Sequence, residues 1–405
     1  MSSAAPTVTI IGGSFIGLTL ASALARAGVV CTVIDREPRG AGETADGRTS
    51  AIAYGSILVL RGLGIWPRLE TLAEPIVEIR VSDGANPFFL HYDRRELEGD
   101  LAEAPLGMIV ENGDLKRVLL EHVSTLETVS LRHGTSARRI ERGAGGVRID
   151  LGIEAIESQL VVGADGRESS VRADAGIAVT RWRYPQTAIV CTVAHERPHR
   201  GIAHERFLPA GPFAILPMTG QRSSIVWTER TAEVPRLLAL DDGDFLRELA
   251  RRFGDFLGKL EVVSRRWSYP LGLVHADRYV ANRLALVGDA AHAIHPIAGQ
   301  GLNLGIRDVA ALSEILADAY RAGNDLGGAE LLRRYERWRR FDSFALIAAT
   351  DSLNRLFSNE IAPVRLIRDL GLAAVNRVPA LKRFFMRHAM GMVGELPRLM
   401  RGEPL

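Results

Sequence analysis

The sequence predicts an α/β fold: a Rossmann-like nucleotide-binding domain, a β-sheet domain inserted into it, and a helical C-terminal region. Three observations carry that prediction. A glycine fingerprint lies between two apolar strand-like runs near the N-terminus, short β-rich segments crowd residues 184–271, and the chain turns helical and arginine-rich after Arg321. At 405 residues the chain is long enough for two to three domain-sized units.

Thr7–Ile11 reads as a β-branched strand, GGSFIG follows, and the apolar residues from Phe15 to Ala27 fit a helix that Gly28 closes. Val29–Ile34 is the second strand and ends in Asp35. This is a β-α-β unit with a dinucleotide-binding fingerprint in its proper context. Gly12 permits the tight turn, and Gly17 lets helix and strand pack closely. Ser14 stands where a middle glycine is usual, but it is small and its hydroxyl can donate to a phosphate. Asp35, 18 residues beyond Gly17, suits the adenosine ribose hydroxyls. Gly12, Ser14, Phe15, Ile16, Gly17, Asp35 and Arg36 are therefore candidate cofactor contacts.

A polar loop with Arg48 comes next, in DGRTSAIAYGS (Asp46–Ser56), and leads into a helix over Ser56–Leu63. Ile76–Val81 and Phe88–His91 look like short strands bordering a second domain. A helix over Asn112–Val123 starts from an Asn-Gly turn, where Asn112 either caps the helix or touches the cofactor. Gln159–Ala164 is an apolar strand ending in GADG, and RESSVR follows. Asp165 and Gly166 thus sit at another strand–turn–helix junction, with Ser169 placed to cap the helix.

From Tyr184 to Leu271 the pattern is short strands: Ala188–Val193, His204–Leu208, Phe213–Met218 and Ser223–Thr228, with one helix at Asp244–Phe253. An inserted sheet of this kind is the natural substrate domain. Its segment Leu208–Met218 is nearly free of charge, so Phe213, Ile215, Leu216 and Pro217 form a candidate substrate wall, and a plain sheet core explains them as economically. The strand Leu284–Val287 stops on Gly288–Asp289, which brings backbone close to a ligand and offers it a carboxylate. Pro296 stiffens the following loop, Gly299 and Gly301 free N–H groups, and Leu302, Leu304, Ile306 and Val309 recur at helical spacing. A helix N-terminus facing the same ligand suits something long, polyhydroxylated and anionic at one end.

The motif HPIAGQGLNLGIRD, residues 295–308, resembles the FAD-dependent aromatic hydroxylases, and within them the ubiquinone-biosynthesis hydroxylases. Asp165, Gly166, Ser169, Val171 and Arg172 also match that family's DGxxSxVR motif, and the motifs stand in the expected order over nearly the whole chain. The resemblance implies a Rossmann-like FAD-binding domain built from residues 1–75, 95–180 and 275–320, a substrate sheet from 76–94 and 181–274, and a helical region from 321–405. It implies FAD contacts at Arg48, Asn112, Asp165, Gly166, Gly288, Asp289, Pro296, Gly299, Gln300, Gly301, Leu302 and Asn303.

The activity implied is ring hydroxylation of a polyprenylated phenol or quinol through a flavin hydroperoxide, with molecular oxygen as co-substrate. A hydroxylase of a small soluble aromatic and a non-catalytic flavin-carrying partner of a biosynthetic complex are the alternatives. His295, beside Pro296, is the candidate base for the phenol proton, although a histidine in such a loop also serves as a strut. With no second complete fingerprint, NAD(P)H would bind transiently or a protein donor would supply electrons.

Composition narrows the classes further. A net charge of +2 gives no whole-molecule case for nucleic acid, and no run of 18 apolar residues suggests a membrane span. Cys31 and Cys191 form no CxxC or Cys/His metal pattern and suit a reducing compartment. The fingerprint begins at Ile10, too early for a cleavable leader, so a cytoplasmic location is expected. Residues 331–405 hold 14 Arg/Lys against 7 Asp/Glu, and Val378–Leu399 is basic and amphipathic, which keeps contact with a membrane surface open.

Overall fold

Strands apolar at every position belong where both sheet faces are covered. The computed structural model describes residues 7–40, 47–84, 89–294, 299–357 and 377–405, and its central strands obey that rule. Val8–Ile11, Cys31–Ile34, Leu160–Gly163 and Leu284–Leu286 are buried throughout. They pair in parallel, with Val129–Arg132 at one edge and Val280–Ala281 antiparallel at the other. The helices Phe15–Arg26 and Gln300–Arg321 pack together over this sheet, burying Leu18, Leu20, Val309 and Leu312 in one core.

A second, larger sheet includes Glu78–Asp83, Phe89–Asp93, Val179–His195, Ile202–Leu208, Gly211–Met218, Arg222–Arg230 and Trp267–Ala276. Both of its faces carry apolar clusters. One packs Phe213, Ile215, Ile225 and Trp227 against Phe245, Leu249 and Phe253 of the helix Asp242–Phe253. Those three recur four residues apart, as one helix face requires, and Asp241 caps the helix by accepting from the Asp244 N–H at 2.7 Å. The other face turns Ala188, Val226, Leu271 and Leu273 toward Ile294 and Leu304.

Several elements differ from the sequence expectation; the strand expected at Ile76–Val81, for one, is split into Glu74–Ile76 and Glu78–Asp83, which belong to different sheets. The segment expected at Ala188–Val193 belongs to a strand of 17 residues, Val179–His195. Pro185, which has no N–H to donate, falls where the pairing register with Trp267–Ala276 shifts between Arg183 and Thr187, and that break hides the strand's continuity. A three-stranded meander, Arg139–Arg142, Val147–Asp150 and Ala155–Ser158, was not expected because exposed charges alternate along it. The strand expected at Phe88–His91 runs over Phe89–Asp93, and Phe88 lies outside the described residues.

The chain ends in the helices Ala329–Phe357 and Pro379–Ala389. In the second, Met386 is buried beside Ile76, Leu97 and Ile109, and the Lys382 ammonium donates to Glu96 at 2.6 Å. Phe384 and Phe385 on the same helix stay 49% and 38% exposed. No described helix is long and apolar enough to cross a membrane.

Candidate functional site

Three turns meet at the carboxyl ends of adjacent parallel strands: Gly12–Ser14, Ala164–Gly166 and Gly288–Ala290. That is where open α/β sheets place ligands. Gly12 has φ +112°, and a Cβ there would lie 2.3 Å from the Ala164 carbonyl oxygen. A Cβ on Gly17 would lie 1.9 Å from the Gly12 oxygen, so only glycine lets the first helix sit this close to the first strand. Arg172 ties the other two turns together, donating to the Ala290 carbonyl at 2.8 Å and the Arg167 carbonyl at 2.9 Å.

The turns border a cavity of about 650 Å³. On one side it is lined by Ser14, Phe15, Ile16, Gly166 and Asp289, and by Gly299, Gly301 and Leu302 at the start of the 22-residue helix Gln300–Arg321. Gly299 is left-handed at φ 61°, and no side chain caps the helix that follows. The first N–H groups of that helix have no intrahelical partner by construction. Across the cavity stand Ala188, Val190, Val226, Leu271 and Ile294. One wall is thus polar and rich in backbone donors, and the other is apolar.

FAD fits this donor set. Asp35 lies against the fingerprint, since a Cβ on Gly13 would come 2.6 Å from its Oδ2. Asp289 opens onto the cavity while protein surrounds it on its other sides. Burial pushes its carboxyl above the usual range, partly offset by Arg167, His292 and Arg48. A carboxylate short of solvent gains from ligand hydroxyls that donate to it.

The remaining candidates fall into distinct places. Arg48 lines the cavity, its guanidinium 4.8 Å from the centre of the Tyr269 ring. Asn112 also lines it and accepts from the Ser50 hydroxyl at 2.7 Å; the cap of its helix is Glu111, so the capping alternative does not hold. Asp165 is taken up by its own helix, accepting from Ser169 Oγ at 2.5 Å and from the N–H groups of Ser170 at 2.7 Å and Val171 at 3.2 Å. Asn303 is a clamp: it accepts from the Ala53 N–H at 2.8 Å and donates to the Ala51 and Gly299 carbonyls at 2.8 and 3.1 Å. Gln300 reaches the Ala389 carbonyl at 3.5 Å, and Arg36 is exposed.

The expected substrate wall needs correction. Phe213 and Ile215 face the helix Asp242–Phe253, in the sheet core, because alternate residues of a strand point to opposite faces. Leu216 packs on the other face with Met218 and Met386, while Pro217 pairs with Ser223. The residues that face the cavity from this sheet include Ala188, Val190, Val226 and Leu271.

His292 is a buried strut, its Nε2 2.7 Å from Asp308 Oδ2. Asp308 also accepts from the Gly288 N–H at 2.9 Å and from Arg339 Nε at 2.8 Å. Burial alone would raise the Asp308 carboxyl, but His292 and Arg339 outweigh it and hold the carboxyl below its usual range. His295 and Pro296 lie outside the described residues. Sequence reasoning passed over Lys116, which is 8% exposed, donates to the Gly13 carbonyl and stands 3.8 Å from Asp35 Oδ2. A lone lysine between Leu115 and Val118, in a chain with only three lysines, was the available signal.

The comparisons with known proteins agree with this geometry. A family model described as an FAD binding domain matches residues 5–349. The ubiquinone hydroxylase UbiL of Rhodospirillum rubrum is 52% identical, over 98% of this chain and 93% of that protein. The 3-demethoxyubiquinol 3-hydroxylase of Escherichia coli is 35% identical, over 95% and 98% of the two chains. Human ubiquinone biosynthesis monooxygenase COQ6 is 31% identical, over 86% and 82%. The fold matches that of p-nitrophenol 4-monooxygenase PnpA from Pseudomonas putida, with a TM-score of 0.77 at 19% identity, over 95% of this chain and 98% of that one. It matches PqsL of Pseudomonas aeruginosa in complex with 2-aminobenzoylacetate at 0.76 and 25%, over 88% and 97%. On the family model that matches most of its length and on these identities, the chain belongs to the FAD-dependent monooxygenases of the ubiquinone-biosynthesis hydroxylase family.

Proposed function

We propose that the protein hydroxylates the aromatic ring of a polyprenylated phenol or quinol on the way to ubiquinone. The observation that carries this reading is the apolar wall of Ala188, Val190, Val226 and Leu271 facing the helix N-terminus across the cavity. A small aromatic acid needs a cation for its carboxylate, since an unpaired buried charge is very costly. None of these wall residues is charged; the cations that line the cavity, Arg48 and Arg167, belong to other segments. A hydrocarbon tail gains about 0.8 kcal/mol for each methylene it buries.

Bound FAD supplies the two-electron activation of molecular oxygen. The chain positions and shields it. Asp35 would take the adenosine ribose, and Asp289 would hold the ribityl hydroxyls. The N–H groups of Gln300, Gly301 and Leu302 would stabilise negative charge on the bound group. The apolar wall excludes water that would divert the oxidation. His295, next to Pro296, is assigned as base for the phenol proton on its place in the sequence. NAD(P)H or a protein donor delivers the electrons.

The exposed Phe384 and Phe385, with Arg383 and Arg387 on the same helix, favour peripheral contact with an anionic membrane surface as the route by which a lipophilic ring arrives. Such contact is compatible with membership of a biosynthetic protein complex. The test is complementation of bacteria lacking each ring-hydroxylation step in turn, scored by mass spectrometry of their quinones. Restoration of at least one step is expected. Failure at every step, with turnover of a small aromatic acid by the purified protein, would move the function to a soluble substrate.

A further inference from the structure

The sheet face that looks into the cavity carries a carboxylate that no other described group answers. Glu205 lies on Ile202–Leu208, where the register pairs it with Val81 on one side and Ala214 on the other. Ala214 pairs with Val226, and Val226 with Val190. Directly paired residues share a face, so Glu205, Ala214, Val226 and Val190 form one row across the sheet. Val226 and Val190 line the cavity. At about 4.8 Å per strand, Glu205 stands about 10 Å from Val226 along that row. Ala214, itself buried, is the one residue between them on that row. The sequence neighbours His204 and Arg206 point the other way, against Phe256.

Among the described residues Glu205 has no hydrogen-bond or ion-pair partner. It retains accessible surface, yet it lies so deep that burial alone pushes its carboxyl up to about 7. Asp289, which lines the cavity, shows the same combination of depth and accessible surface. On the neighbouring strands, the other titratable groups of this face are Tyr92, paired with Ile79, and Asp83, paired with Phe207; neither is bonded to Glu205.

We propose that Glu205 is the specificity-determining residue of the aromatic site, its carboxyl accepting a hydrogen bond from a ring hydroxyl of the substrate. The proposal rests on the phenol or quinol reading given above. An apolar wall binds ring and tail but cannot orient them; one acceptor at its far end fixes which carbon is presented for oxidation. The bond also draws the hydroxyl proton away and leaves the ring richer in electrons. An ionised acceptor makes the stronger bond, so preference for a hydroxylated ring rises as pH climbs through about 7, where Glu205 loses its proton. The phenol itself stays protonated to about pH 10.

The test uses the FAD-loaded, full-length protein with two probes, 2-geranylphenol and geranylbenzene, which lacks the ring oxygen. Binding is read from the flavin absorbance change at pH 6 to 9. The wild type is expected to prefer the phenol by about tenfold, more at high pH than at low. Glu205→Leu should lose the preference at every pH, and Glu205→Gln should keep part of it with no pH dependence. FAD content is measured for each variant, and Glu205→Gln alone carries the test if Glu205→Leu fails to retain flavin. A wild-type preference that is absent, or that both variants share at every pH, overturns the assignment. Preference through Glu205 without hydroxylated product would instead sink the substrate reading and leave Glu205 standing. Product formed with the preference intact in Glu205→Leu would do the reverse.

Discussion

At the residue scale, Asp308 holds the deepest charge beside the site. Its carboxylate joins the turn at Gly288, the strut His292 and the fully buried guanidinium of Arg339. Breaking such a pair strands the partner charge. Asp308→Asn should therefore cost about 3–5 kcal/mol in urea unfolding. The acid dependence has a definite sign. The folded carboxyl is held below the ordinary aspartate value, so its contribution is complete above that pH and is lost as pH falls further. The wild type should lose more stability than Asp308→Asn only below about pH 4. Asp289→Ala acts on the cofactor instead. Removing a charged acceptor from ligand hydroxyls should cost about 1.5–3 kcal/mol, one to two decades of FAD affinity by fluorescence titration, with the fold intact. Gly12, Gly17 and Asp289 were legible because each sits in a local motif with its own geometric reason. Lys116, Arg339 and Glu205 were not, since what they meet or face lies on strands, turns and helices remote in the chain.

At the element scale, the strand Gly211–Met218 shows where sequence periodicity stops being informative. A strand with polar residues on one side announces its buried face; one apolar on both sides does not. Phe213 and Ile215 looked like substrate contacts and are core, whereas Val226 on the next strand faces the cavity. Two substitutions separate the faces. Phe213→Ala should cost about 3–5 kcal/mol of stability through the cavity it leaves, with little effect on ring binding. Val226→Phe should fill the site and weaken ring binding at nearly unchanged stability. The reverse pattern in calorimetry and ligand titration would mean that the faces are assigned wrongly. Asn303 works at the same scale, because its amide fastens Thr49–Ala53 to the helix Gln300–Arg321. Asn303→Ala leaves buried backbone groups unpaired, at a cost of about 1–3 kcal/mol in thermal unfolding.

At the scale of the whole molecule, fragments far apart in the chain converge. Gly12, Ala164 and Gly288 end three neighbouring strands of one sheet, and the helix from Gln300 packs on the helix from Phe15. That convergence was readable because each fragment carries a strand, a turn and a helix in the same order. The meander at 139–158 and the hidden continuity of Val179–His195 were not, since exposed charges and Pro185 mask strands that only their neighbours stabilise. Hydroxylation by this molecule means that one atom of molecular oxygen enters the ring of a prenylated phenol. The FAD-loaded protein, reduced by light and exposed to isotopically heavy oxygen gas with 2-geranylphenol, tests it in a single turnover. The product ring is expected to carry one heavy oxygen atom, as read by mass spectrometry. Reoxidation that yields only hydrogen peroxide, across phenols of every tail length, would contradict it.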